Sequence, residues 1–136
     1  MVSDGFDPGQ GSLDPYVDSA VEYAQRNGIV IYTIYASGAG LFGHNFPRIL
    51  LGQNNLSRVA GETGGEAYFQ GFHNAISFEP FLTDLAAHLT HQYLLTFAAN
   101  PERQGAFQKV SVETEVPNAV LITSEKAYVP AASGPR

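Results

Sequence analysis

The run Ile29-Val30-Ile31-Tyr32-Thr33-Ile34-Tyr35 limits this chain more than any other stretch. It is apolar or β-branched on both faces and shows no alternation, as does a strand buried on both sides of a parallel sheet. Such a strand needs helices over its faces and crossovers to return the chain. The preceding residues supply one. Asp14-Pro15 pairs an N-cap carboxylate with proline at the first helical position. Val17, Ala20, Val21 and Ala24 then recur at i, i+3, i+4 and i+7, a single buried helical stripe. Asn27-Gly28 closes the helix with residues that tolerate the left-handed cap conformation. The apolar run is also far short of the ~20 residues a membrane-spanning helix requires.

The same order continues on either side. Met1-Val2-Ser3-Asp4-Gly5 reads as the end of a strand entering a turn, and Phe6 to Ser12 as a loop. Ala36 to Asn54 reads as a long loop with a helical turn near Ile49 to Leu51. Asn55 is expected to cap a short helix carrying Leu56, Val59 and Ala60, stopped by Gly61, Gly64 and Gly65 before a strand at Glu66 to Phe69. A helix is expected from about Glu79 to His91, started at Ser77 and Glu79-Pro80, with Phe78, Leu82, Leu85, Ala86 and Leu89 as its apolar stripe. Three strands follow, at Tyr93 to Ala98, Gln108 to Glu115 and Ala119 to Thr123, joined by turns at Asn100 to Gly105 and Pro117-Asn118. The expected fold is therefore α/β: a partial doubly wound, Rossmann-like parallel sheet extended by an antiparallel C-terminal strand meander. One domain is expected over residues 1–129, with a disordered tail at 130–136.

Composition narrows the function. A chain of 136 residues fits one domain, and 44% hydrophobic against 15% charged residues suffices for a core and is too apolar for a disordered chain. The 13 Asp+Glu outnumber 7 Lys+Arg, giving a formal charge of −6, the wrong sign for binding a nucleic-acid backbone. The absence of cysteine excludes disulfides, thiolate zinc sites and cysteine nucleophiles. No basic-then-apolar leader precedes the first strand.

Few residues offer chemistry. Asp84, His88 and His91 form a D-x3-H-x2-H group on one face of the third helix, turned away from the Leu82/Leu85/Leu89 stripe at ~100° per residue. They are either shared ligands for a metal such as zinc, serving a metal-assisted hydrolase, or a solvated polar face. His44 and His73 lie in loops. G-x-S-x-G does not occur, and Gly38-Ala39-Gly40 completes neither phosphate-binding glycine pattern. Phe69, Phe72, Phe78 and Phe81 read as packing around a helix start. Asp4 is either a metal ligand at the carboxyl end of a parallel strand or a turn residue beside glycine.

Three stretches taken together carry a resemblance: Val2-Ser3-Asp4-Gly5-Phe6-Asp7, the helix feeding Ile29 to Tyr35, and Leu56 to Phe69 (LSRVAGETGGEAYF). With Gln92-Tyr93-Leu94-Leu95, Phe107-Gln108-Lys109-Val110 and Ala127-Tyr128 they resemble the second half of a von Willebrand factor type A domain. More narrowly, the chain resembles the related bacterial domains of acidobacterial proteins, over roughly residues 2 to 129. The resemblance implies a non-enzymatic, adhesion-type protein-binding module whose parent carries a magnesium site. Of that site only the aspartate of the Ser-Asp-Gly turn carries over, onto Asp4, with Asp7 as a neighbouring carboxylate; the Asp-x-Ser-x-Ser loop is absent. It follows that the chain corresponds to a C-terminal half, that magnesium is held weakly here, and that an open sheet edge favours a homodimer or an element-swapped oligomer. Relatives of this kind are mostly exported or envelope-associated. The rival reading is a purely structural assembly piece using Ala36 to Asn54 as its contact surface.

Overall fold

The strand at the centre is shorter than its apolar run. In the computed structural model, which describes residues 1–5, 15–36, 46–69, 77–98 and 104–131, β1 (Val2–Ser3), β2 (Thr33–Tyr35) and β3 (Ala67–Tyr68) form a parallel sheet in the order β1-β2-β3. Val2 pairs with Ile34, and Thr33 with Ala67. All three residues of β2 are buried, and Thr33 is 0% exposed. The expectation of an interior parallel strand holds for Thr33 to Tyr35. Ile29 and Val30 lie outside it and stay 45% and 42% exposed. The stretch before β2 meets the end of a helix rather than a strand, since the Ile31 amide donates to Thr63 Oγ1 at 3.1 Å. Gly65 packs against the Ile31 backbone there, and a Cβ on it would sit 2.7 Å from the Ile31 carbonyl carbon.

Helix α1 (Pro15–Arg26) buries Val21 and Ala24. It ends in a Schellman motif: the Ile29 amide donates to Ala24 O at 2.9 Å and the Gly28 amide to Gln25 O at 3.3 Å, with Gly28 at φ +64°. Helix α2 (Phe46–Thr63) is one continuous 18-residue element. This corrects the expected loop over Ala36 to Asn54 and the expected short helix capped by Asn55; residues 37–45 lie outside the described residues. Pro47 suits the first turn, and Gly52, Leu56, Val59, Ala60 and Thr63 are buried along one stripe. Gly61 lies within the helix, and the stop comes at Gly64, whose amide donates to Gly61 O while Gly65 donates to Ala60 O, a second Schellman motif. The strands run in sequential order, so right-handed crossovers put α1 and α2 on the same sheet face. Thr33 Oγ1 donates to Leu56 O from that face.

Helix α3 (Glu79–Thr90) lies across the other face, reached by Tyr32 and Tyr68. The Ser77 hydroxyl accepts the Glu79 amide at its start. None of its residues is buried, and Leu82 and Leu89 of the expected apolar stripe are more than half exposed. The expected meander reduces to one antiparallel pair, β4 (Ala106–Lys109) with β5 (Lys126–Val129), in the register Phe107 to Tyr128. Tyr93 to Ala98 and Ala119 to Thr123 have no regular secondary structure and join no ladder among the described residues. The β4–β5 pair packs against α1, where the Arg26 guanidinium stands 4.7 Å over the Tyr128 ring and 5.4 Å over Phe107. Ser124 Oγ donates to Glu62 O and ties this pair to the end of α2. Among the described residues no helix is long and apolar enough to cross a membrane.

Candidate functional site

Two places carry the expected chemistry, at opposite ends of the sheet. At the carboxyl end of β1, Ser3 Oγ accepts the Gly5 amide at 3.0 Å and closes a turn. Asn55 Nδ2 donates to Gly5 O at 3.1 Å and holds the turn against α2. Asp4 is half-buried, and its charge, after burial, is the second cause that raises the Tyr35 phenol above its ordinary range. Asp7 lies outside the described residues, as do His44, His73, Phe72 and Gly38 to Gly43.

At the other end, α3 and the start of β3 bring three groups together. His88 Nδ1 lies 3.3 Å from Glu66 Oε2, and its Nε2 lies 3.6 Å from Asp84 Oδ2. One ligand atom from each of Glu66, Asp84 and His88 falls within 4.8 Å of the other two. Glu66 is fixed by the sheet, since its carbonyl accepts the Thr33 amide at 3.0 Å. Asp84 and His88 sit one turn apart on α3, the spacing at which helical side chains share a face.

Tyrosines frame the group. Tyr68 Oη donates to Asp84 Oδ2 at 3.0 Å, and the Tyr68 ring lies 5.6 Å from Phe81. Burial first, then the Asp84 hydrogen bond and the Asp84 and Glu66 charges, hold the Tyr68 phenol well above its usual value. Tyr32 meets the His88 ring edge-on at 6.2 Å, and its hydroxyl accepts Gln92 Nε2 at 3.2 Å.

The pairing of Asp84 with His88 at i, i+4 was visible in the sequence; the participation of Glu66, Tyr68 and Tyr32 was not. The one available signal was a carboxylate directly before a short strand that precedes the helix. His91 stands apart from the group: its Nδ1 donates to Ala87 O at 2.7 Å and completes the end of α3. Of the face offered as solvated, Asp84 and His91 are exposed, while His88 is half-buried beside Phe81 and Leu85.

Elsewhere, Arg58 joins α1 to α2 by pairing with Asp18 and, at 2.8 Å, with Glu62. Those two hydrogen bonds, Asp18 first, raise its already high pKa. They line a hollow of about 670 Å³ between α1, α2 and the β4–β5 pair, to which Lys109, Glu125 and Lys126 add further charges of both signs. Comparison with protein-family models, characterised proteins and solved structures gives no match for this chain.

Proposed function

We propose that this chain is a non-enzymatic protein-binding module and that the partner it engages is a second copy of itself. The observation that supports this is the exposed apolar segment after α3, where Tyr93 is 91% and Leu94 95% exposed. A second uncharged stretch, Ala119 to Thr123, holds Val120 at 85% exposure. Neither segment pairs with another strand among the described residues. Apolar, uncharged, exposed chain without a ladder partner can serve as a template for strand addition, and natural edges that avoid pairing carry lysine, proline or bulges. Tyr93 to Ala98 carries none of these. With two such segments in each copy, a twofold dimer pairs them reciprocally and closes. The resemblance to von Willebrand factor A-like domains supports a binding role of the adhesion type.

The magnesium of that resemblance does not fit the residues described. Asp4 supplies one carboxylate where octahedral magnesium asks for several oxygen ligands, and Ser3 Oγ is already engaged by the Gly5 amide. The binding reading therefore rests on the open segments. Size-exclusion chromatography with light scattering across micromolar concentrations tests it. The wild-type chain is expected to dimerise, and Leu94→Asp with Val120→Asp to be monomeric with an unchanged far-ultraviolet dichroism spectrum. A wild-type monomer throughout that range refutes it.

A further inference from the structure

We propose that Glu66, Asp84 and His88 form a three-ligand site for a divalent cation of the zinc class, which clips α3 to the start of β3. The ligand types are those of zinc sites that combine imidazole with carboxylates and leave a fourth position for water. The separations suit it. Tetrahedral zinc with bonds of about 2.1 Å sets its ligand atoms about 3.4 Å apart. The observed gaps are 3.3 Å from His88 Nδ1 to Glu66 and 3.6 Å from His88 Nε2 to Asp84, so each carboxylate stands at that spacing from one ring nitrogen. His88 offers one nitrogen to the cation, so rotation of the half-exposed carboxylates completes the set from atoms already within 4.8 Å of one another.

Charge balance points the same way. The ion pairs of both carboxylates go to a single imidazole, and its protonated form offsets only one of them. A doubly charged cation with neutral imidazole offsets both. The surroundings are those of a metal site: Tyr68 Oη donates to Asp84 and fixes that carboxylate, the outer-shell hydrogen bond that ligating groups commonly receive. The position also has a use for a clip. α3 buries no residue of its own and reaches the sheet through Tyr68 and Tyr32. A ligand bridge from β3 to two turns of α3 supplies the anchor that its packing lacks. The site stands apart from Asp4 and does not depend on self-association.

Calorimetric titration of the full chain with zinc chloride, alongside magnesium chloride, tests the proposal. The wild type is expected to bind one equivalent of zinc, at least about tenfold tighter than magnesium, because imidazole favours zinc and magnesium favours oxygen. His88→Ala and Glu66→Gln are each expected to weaken zinc binding by at least about 100-fold, and Tyr68→Phe by about 10-fold. His91→Ala is expected to leave it unchanged, and added zinc to raise the melting temperature of wild type and His91→Ala but not of His88→Ala or Glu66→Gln. Cobalt(II) gives a second readout, with intense tetrahedral visible bands expected in the wild type and lost in Glu66→Gln. No saturable zinc binding, or equal binding by wild type and His88→Ala, overturns the site. So does loss of binding in His91→Ala as deep as that in His88→Ala.

Discussion

Helix α2 contains two interior glycines, Gly52 and Gly61, and alanine at each has opposite consequences. Alanine in place of glycine inside a helix gains about 1 kcal/mol from the backbone entropy that glycine loses on folding. At Gly61 nothing lies within 4 Å of a built Cβ, so Gly61→Ala is expected to stabilise by nearly that amount. At Gly52 the same Cβ would overlap the Asp4 carbonyl oxygen and stand 3.2 Å from its carbon and 3.4 Å from Gly5 C. Those atoms are backbone, so no rotamer change relieves the overlap. The turn at Ser3 to Gly5 must lift from α2, straining its bond from Asn55. Overpacking of this kind costs about 1–3 kcal/mol. The helix-propensity gain is common to both variants, so their difference isolates the contact between turn and helix. Gly52→Ala is expected to fall about 1–3 kcal/mol below Gly61→Ala in urea unfolding, or several degrees in melting temperature. Equal stability of the two variants would refute the seating of the β1 turn on α2, and with it the position given to Asp4.

Thr63 is 3% exposed, and its hydroxyl donates to Val59 O at 2.8 Å while accepting the Ile31 amide at 3.1 Å. Thr63→Val leaves that amide unpaired and is expected to cost about 1–3 kcal/mol in urea unfolding, whereas Thr63→Ser retains most of the stability. The Tyr68 phenol, raised in the folded chain above its ordinary 10.0, gives alkaline sensitivity of definite sign. Its contribution is whole below pH 10.0, where neither state ionises, and is lost as pH rises toward the folded value. Unfolding free energies measured between about pH 8 and pH 11 are expected to fall more steeply in wild type than in Tyr68→Phe. Parallel slopes would show that burial and the Asp84 hydrogen bond do not hold Tyr68 protonated.

Local signals that agreed with tertiary packing were legible in the sequence. The cap residues Asn27-Gly28 fix a left-handed stop whatever lies nearby, and α1 ends there. The β-branched run located the central strand, and its length misled because Thr63 and Gly65, rather than a strand, meet Ile31. Helix α2 was missed between Phe46 and Asn54 because Gly52, Asn54 and Asn55 are poor helix formers. Tertiary contact overrides that weakness: Gly52 is small so that the β1 turn can approach, and Asn55 is polar so that it can hold Gly5 O. The strands expected at Tyr93 and Ala119 have the right composition without a described partner, and composition cannot supply one. Of the candidate site, Asp84 and His88 were readable because i, i+4 spacing is local. Glu66 was not, since only the docking of α3 against β3 brings it near.

The orientation of α3 joins the two proposals. Its half-buried residues are Phe81, Leu85 and His88, while Leu82 and Leu89 face outward. At ~100° per residue, the helix is thus turned so that one edge of its apolar stripe and its polar groups meet the sheet. A helix held by apolar burial alone would roll to cover Leu82 and Leu89, because each gains about 1.5–3 kcal/mol when fully buried. The contacts resisting that roll are the ones from Asp84 and His88 to Tyr68 and Glu66. A cation bound there would fix the helix in the orientation that leaves the leucines open. Tyr93 and Leu94, which follow the helix in the chain, are exposed as well. Where a second copy also covers the leucine face, metal at the clip and self-association are expected to strengthen one another, because both favour the same rotation of α3.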